Sequence, residues 1–124
     1  MNVYGTKQIR NVVLLGHGGA GKTAAEAMAL VTGVTKRMGK VPDGTTISDY
    51  DKEEIKRQFS ISTSLIPIEY SGENGPIKIN LLDTPGYFDF VGEVEEAMSV
   101  ADAAIIVVNC KAGIEVGTEK AWEL

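Results

Sequence analysis

The first ordered run of apolar positions covers residues 9–15, where Val12, Val13, Leu14 and Leu15 follow one another without a polar break. A run that does not alternate predicts a strand buried on both faces, as in a parallel sheet covered by helices on each side. Glycine-rich residues 16–21 interrupt it. Lys22–Val31 then predicts a helix, with Ala24, Ala25, Ala27 and Ala29 joined by Met28 and Leu30. Alanine-rich stretches form helices readily because no side-chain entropy is lost. Over residues 32–64 the periodicity fades. Gly33, Gly39, Pro42 and Gly44 punctuate the segment, and residues 49–57 are charged enough for a short solvated helix. Such a stretch inside a compact domain reads either as a functional or mobile loop or as a disordered insertion.

Alternation returns in residues 65–70 (Ile66, Ile68, Tyr70) and 77–82 (Ile77, Ile79, Leu81), joined by turn-rich residues 71–76. The pair predicts an antiparallel hairpin. Pro67 has no amide to give to a ladder, which assigns the first strand to a sheet edge. Residues 91–101 place Val91, Val94, Met98 and Ala101 at helical spacing, with Glu93, Glu95 and Glu96 on the solvated side. Residues 103–108 predict another buried strand, and Thr118 is placed to cap a last helix with Glu119 in its first turn. Strand, helix, loop, hairpin, helix, strand, helix is an α/β order. It predicts a three-layer sandwich whose mostly parallel sheet carries one antiparallel edge strand. Ligands of such sheets bind beyond the carboxyl ends of the strands.

Composition adds one local signal. The chain has 124 residues, 23% of them charged, and its 14 glycines exceed the usual share. Eight of those glycines fall within the first 44 residues, where the chain needs backbone freedom. A net charge of −5 argues against broad binding of nucleic acid or acidic lipid, and leaves room for an anion held by backbone amides. One cysteine, Cys110, forms no internal disulfide and reads as a small packed residue suited to a reducing compartment. No apolar run reaches membrane-spanning length, so the expectation is a soluble, cytoplasmic protein.

Gly16, His17, Gly18, Gly19, Ala20, Gly21, Lys22 and Thr23 match G-x-x-x-x-G-K-[ST] at every fixed position, after a strand and before a helix. This is the P-loop arrangement of nucleoside triphosphatases. Its glycines turn successive amides toward phosphate oxygens, the helix start adds partial positive charge, and Lys22 reaches the terminal phosphates. Thr23 offers a hydroxyl to Mg²⁺, which keeps most of its waters. Asp83, at the predicted end of the second hairpin strand, suits a Mg²⁺ contact through water. Gly86, three residues on, can offer its amide to a γ-phosphate. His17 reads as a residue that shapes the loop, and Trp122 as core.

Residues 83–90, Asp83-Thr84-Pro85-Gly86-Tyr87-Phe88-Asp89-Phe90, resemble the D-T-P-G-H-x-D-F segment of translational GTPases, most of all the elongation factor G and elongation factor G-like branch. The likeness covers nearly all of residues 9–124. It implies a GTP/GDP and Mg²⁺ site, GTP hydrolysis, the ribosome as partner, and residues 1–124 as the N-terminal portion of a translation-factor-type GTP-binding domain, short of its later strands. Three departures stand out. Gly19 takes the place of an aspartate. Arg57-Gln58-Phe59-Ser60-Ile61 replaces R-G-I-T-I, so that Ser60 keeps the hydroxyl the family uses for Mg²⁺ while Gln58 removes a glycine's freedom. Tyr87 replaces the histidine that orients the attacking water. A phenol can hold a water without sharing the protonation chemistry of imidazole, and Tyr87 reads equally as that group or as an aromatic packing against the switch. The chain holds no N-K-x-D, so the choice of guanine comes from the resemblance. Two other functions stay open: a nucleotide-dependent binding switch with little turnover, and a P-loop ATPase of another class.

Overall fold

The structure is a computed structural model that describes residues 2–124, apart from the side chains of Lys22, Thr23 and Phe88. Among the described residues four strands and four α-helices follow one another as β1 (Ile9–Gly16), α1 (Lys22–Val31), α2 (Lys52–Arg57), β2 (Ser64–Gly72), β3 (Gly75–Asp83), α3 (Val91–Val100), β4 (Ala103–Val107) and α4 (Val116–Glu123). The sheet order is β2-β3-β1-β4. β1 lies between β3 and β4 and runs parallel to both, while β2 pairs antiparallel with β3. Pro67 therefore stands on an edge strand, as its missing amide demands.

The two faces of β1 feed two cores. Leu14 joins Ile66, Ile68 and Leu81 beneath Ala25 and Ala29 of α1. Val13 and Leu15 face the other way, against Ala97 of α3, with Val94, Met98 and Ala121 around them. Helices on both faces of the sheet make the expected three layers, and the unbroken apolar run of β1 is the part of the sequence that demanded them.

Several expectations are corrected. β4 is an exposed edge strand rather than a buried one, because no strand among the described residues lies beyond it; Ile105 and Val108 stay open to solvent. Trp122 is 83% exposed and Cys110 lies at the surface, so neither belongs to a core. The last helix begins at Val116, capped by Glu115, and Thr118 sits one turn in, where its hydroxyl accepts the Glu115 amide. Glu93 is drawn inward from the acidic face of α3 and accepts the Thr63 amide at 2.6 Å.

The segment between α1 and β2 is ordered by carboxylates. Asp51 caps α2 by accepting the Glu53 amide, and Glu54, three residues on, accepts the Asp51 amide in return. The buried Glu54 also accepts from Ile61 and Ser62, which folds the chain after α2 back onto it. That reversal needs a left-handed residue. Gln58 supplies it at φ 61° and ψ 31°, donating its amide to Glu54 O at 2.8 Å. The loss of glycine here leaves the left-handed conformation in place, at a steric cost. Gln58→Gly should relieve that cost and raise stability by about 0.5–1 kcal/mol. Urea unfolding checks this as a higher midpoint at unchanged slope; a lower midpoint would show that the Gln58 side chain contributes more than the backbone loses.

Candidate functional site

Strand register assembles the site. Because β1 and β3 run parallel with Leu14 opposite Asp83, β3 ends beside β1 two residues before β1 itself ends, and the loops that follow the two strands meet. Thr84 fastens the junction: its hydroxyl and its amide both donate to Leu14 O, at 2.8 and 3.4 Å. Asp83 is held at this end of the sheet, only 3% exposed. Leu14, Gly16, His17, Asp83, Thr84 and Gly86 border a cleft there.

The glycine-rich loop turns within itself through a bond from the Ala20 amide to His17 O, and Gly21 O accepts the amides of Ala24 and Ala25 as α1 begins. Its glycines answer different demands. Gly19 takes φ +86° with open space around it. At Gly18 any Cβ would stand 2.9 Å from the Tyr87 ring, and at Gly86 a Cβ would meet Gly18 Cα and N at 2.6 Å. The 83–87 turn and the glycine-rich loop thus touch backbone to backbone. The first residues of α1 carry amides without partners in their own helix, which suits an anion at that end. The side chains of Lys22 and Thr23 lie outside the described residues.

Tyr87 is 44% exposed, and its ring stacks on Phe59, with centroids 4.8 Å apart and planes tilted 55°. Phe90 stands beyond, its centroid 6.3 Å from that of Phe59. An aromatic cluster therefore joins the turn after β3 to the chain after α2. Ser60, next to Phe59, is buried and donates its hydroxyl to Asp49 at 2.8 Å. His17 also stands against the start of α4: its Nε2 is 3.7 Å from the Glu115 carboxylate, and Gly117 of α4 lies so close that a Cβ there would meet His17 Cα and Nδ1 at 2.8 Å. Among the described residues no three His, Cys, Asp or Glu side chains gather as a metal cluster. A cation held mainly by phosphate and water needs no such cluster.

Sequence reasoning missed the buried acids around the site: Glu26, Asp49 and Glu54. Two of them left a signal. Glu26 falls on the same helical stripe as Ala25 and Ala29, an acid on an apolar face, and Asp51-x-x-Glu54 has the spacing of a capping box. Phe59 left none.

Residues 7–124 match the family model of the elongation factor Tu GTP-binding domain. An elongation factor G-like protein of Mycobacterium tuberculosis is 41% identical over 93% of the chain. A mitochondrial ribosome-releasing factor 2 of Candida albicans is 37% identical over 99% of the chain. The chain spans about one-sixth of the length of these relatives, 16% and 15% respectively. A crystal structure of a Thermus thermophilus protein superposes with a TM-score of 0.86 at 44% identity, covering 94% of this chain and 17% of that one. Sequence match, structural match and the junction of glycine-rich loop and strand end agree: the chain belongs to the family of the elongation factor Tu GTP-binding domain.

Proposed function

We propose that this chain binds the phosphates of GTP with Mg²⁺ and carries the hydrolytic part of an elongation factor G-like translation factor that works on the ribosome. The observation that carries the reading is the contact of Gly86 with Gly18, which brings the turn after Asp83 against the glycine-rich loop with no side chain between them. The names of the relatives, elongation factor and ribosome-releasing factor, support the ribosome as partner.

In this reading the amides of residues 16–23 and the start of α1 hold the phosphate oxygens, and the Lys22 ammonium adds a charge-assisted bond. The oxygen donors present suit Mg²⁺, a hard cation with few protein ligands: the buried Asp83 carboxylate and the hydroxyls of Ser60 and Thr23. When bound, the ion neutralises charge on the β- and γ-phosphate oxygens. Gly86 offers its amide toward the γ-phosphate, and Tyr87 follows it at the place where a water would be oriented. Because phosphoryl transfer rests on positioning and charge neutralisation, a phenol there need not abolish hydrolysis. We place the protein in the cytoplasm, on the strength of its lone cysteine. No helix among the described residues is long and apolar enough to cross a membrane.

One observation favours a second reading, a nucleotide-dependent switch with little turnover. The Tyr87 ring is engaged with Phe59 and Gly18, a packing role that competes with orienting water.

In the intact protein Lys22→Ala should weaken triphosphate affinity by about a hundredfold, with the circular dichroism spectrum and melting temperature retained. Equilibrium titration reads this, and unchanged affinity would discredit the phosphate site. Tyr87→His should raise ribosome-stimulated single-turnover hydrolysis by about tenfold, since a positioned imidazole supplies more than a phenol. A fall in rate, or no change, would assign Tyr87 to packing alone.

A further inference from the structure

Glu26 lies on α1 one turn beyond Lys22, on the stripe whose Ala25 and Ala29 press on the sheet, and it is 2% exposed. A carboxylate in such a place is costly unless its oxygens are satisfied. Both are satisfied by backbone from the long segment after α1. Oε2 accepts the Gly39 amide at 3.1 Å, and Oε1 accepts the Ile47 amide. Gly39 is fitted to this contact: a Cβ there would stand 2.6 Å from Glu26 Oε2 and 2.5 Å from Thr45 O. Between the two anchored amides the chain closes on itself, with Lys40 donating to the Thr45 hydroxyl and Gly44 to Val41 O.

From Ile47 the connection continues toward the cleft. Ser48 O accepts the Ser64 hydroxyl at the start of β2, Asp49 accepts the Ser60 hydroxyl, and Glu54 accepts the amides of Ile61 and Ser62. Phe59, beside Ser60, reaches Tyr87. A series of contacts therefore leads from the helix that begins at Lys22, through Glu26, to Ser60 and Tyr87.

We propose that Glu26 is a positioning residue for the nucleotide site: it registers the 39–63 segment against α1, and so sets how that segment meets the third phosphate and its cation. The proposal rests on the phosphate reading of the site and deepens it. Glu26 itself touches no nucleotide; it acts through Gly39 and Ile47. A residue with this role separates triphosphate from diphosphate binding, whereas one that only fills the interior weakens both alike.

The test uses the intact protein with Glu26→Ala, the isosteric Glu26→Gln, and Gly39→Ala, which strikes the same contact from the loop side. Affinities for GDP and for a non-hydrolysable GTP analogue with Mg²⁺ are measured by calorimetry. Trypsin cleavage after the exposed Lys36, Arg37 and Lys40 is timed without nucleotide. Glu26→Ala and Gly39→Ala should speed cleavage and weaken the analogue by about fivefold or more, while GDP affinity stays within about twofold. Glu26→Gln keeps one acceptor oxygen and should fall between wild type and Glu26→Ala, which keeps the proposal open to refutation if the alanine variant fails to fold. An equal loss for both nucleotides, or cleavage and affinities unchanged in all three variants, would overturn it. Wild-type protein that binds neither nucleotide would instead overturn the phosphate reading on which it stands.

Discussion

Parallel pairing of β1 with β3 governs where everything chemical in this chain can be. With Leu14 opposite Asp83 and Thr84 doubly bonded to Leu14 O, β3 stops two residues short of the end of β1 and their loops leave the sheet side by side. A slip of one residue would turn every side chain of β3 to the opposite face, so that Leu81 left the α1 core. The same slip would take Asp83 from its place opposite Leu14 and break the Thr84 bonds that fasten it there. Core packing and site geometry are thus fixed by one register. The unbroken apolar run of β1, which feeds both cores, is what makes that register costly to lose.

Around this junction the chain uses buried acids as acceptors for loop amides. Glu26, Glu54 and Glu93 stand on three different helices, yet each takes backbone N–H groups from residues 39–63. Ile47 packs against the α1 core and Phe59 meets Tyr87, but these contacts leave backbone amides turned away from water, which need partners. Carboxylates accept such bonds more strongly than neutral groups do. The long segment is therefore attached to α1, α2 and α3 without a strand of its own.

This division explains what could be read in advance. The strands, α1 and the hairpin were legible because their signals are local: an apolar run, an alanine-rich stretch, alternation across a short turn. The motifs at 16–23 and 83–86 were legible because residue spacing and strand ends imply each other. The 32–64 segment was opaque because its order comes from contacts such as Glu26 with Ile47, which have no periodic trace. β4 and Trp122 misled for a related reason. Hydrophobicity reports what a residue prefers to touch, and exposure depends on which neighbours stand beside it.

The close meeting of the two loops also sorts the glycines by the kind of substitution each refuses. Gly18 and Gly86 are closed by contact, since any side chain would strike the other loop or the Tyr87 ring. Gly19 is closed only by its dihedral, with free space around its Cα. Left-handed backbone is a restriction that aspartate and asparagine tolerate better than other residues. An aspartate at position 19, the residue that the resemblance to elongation factor G implies there, would meet the same backbone demand as the glycine found here while adding a carboxylate. A charge can therefore enter the loop of this chain at position 19 with less steric conflict than at position 18 or 86.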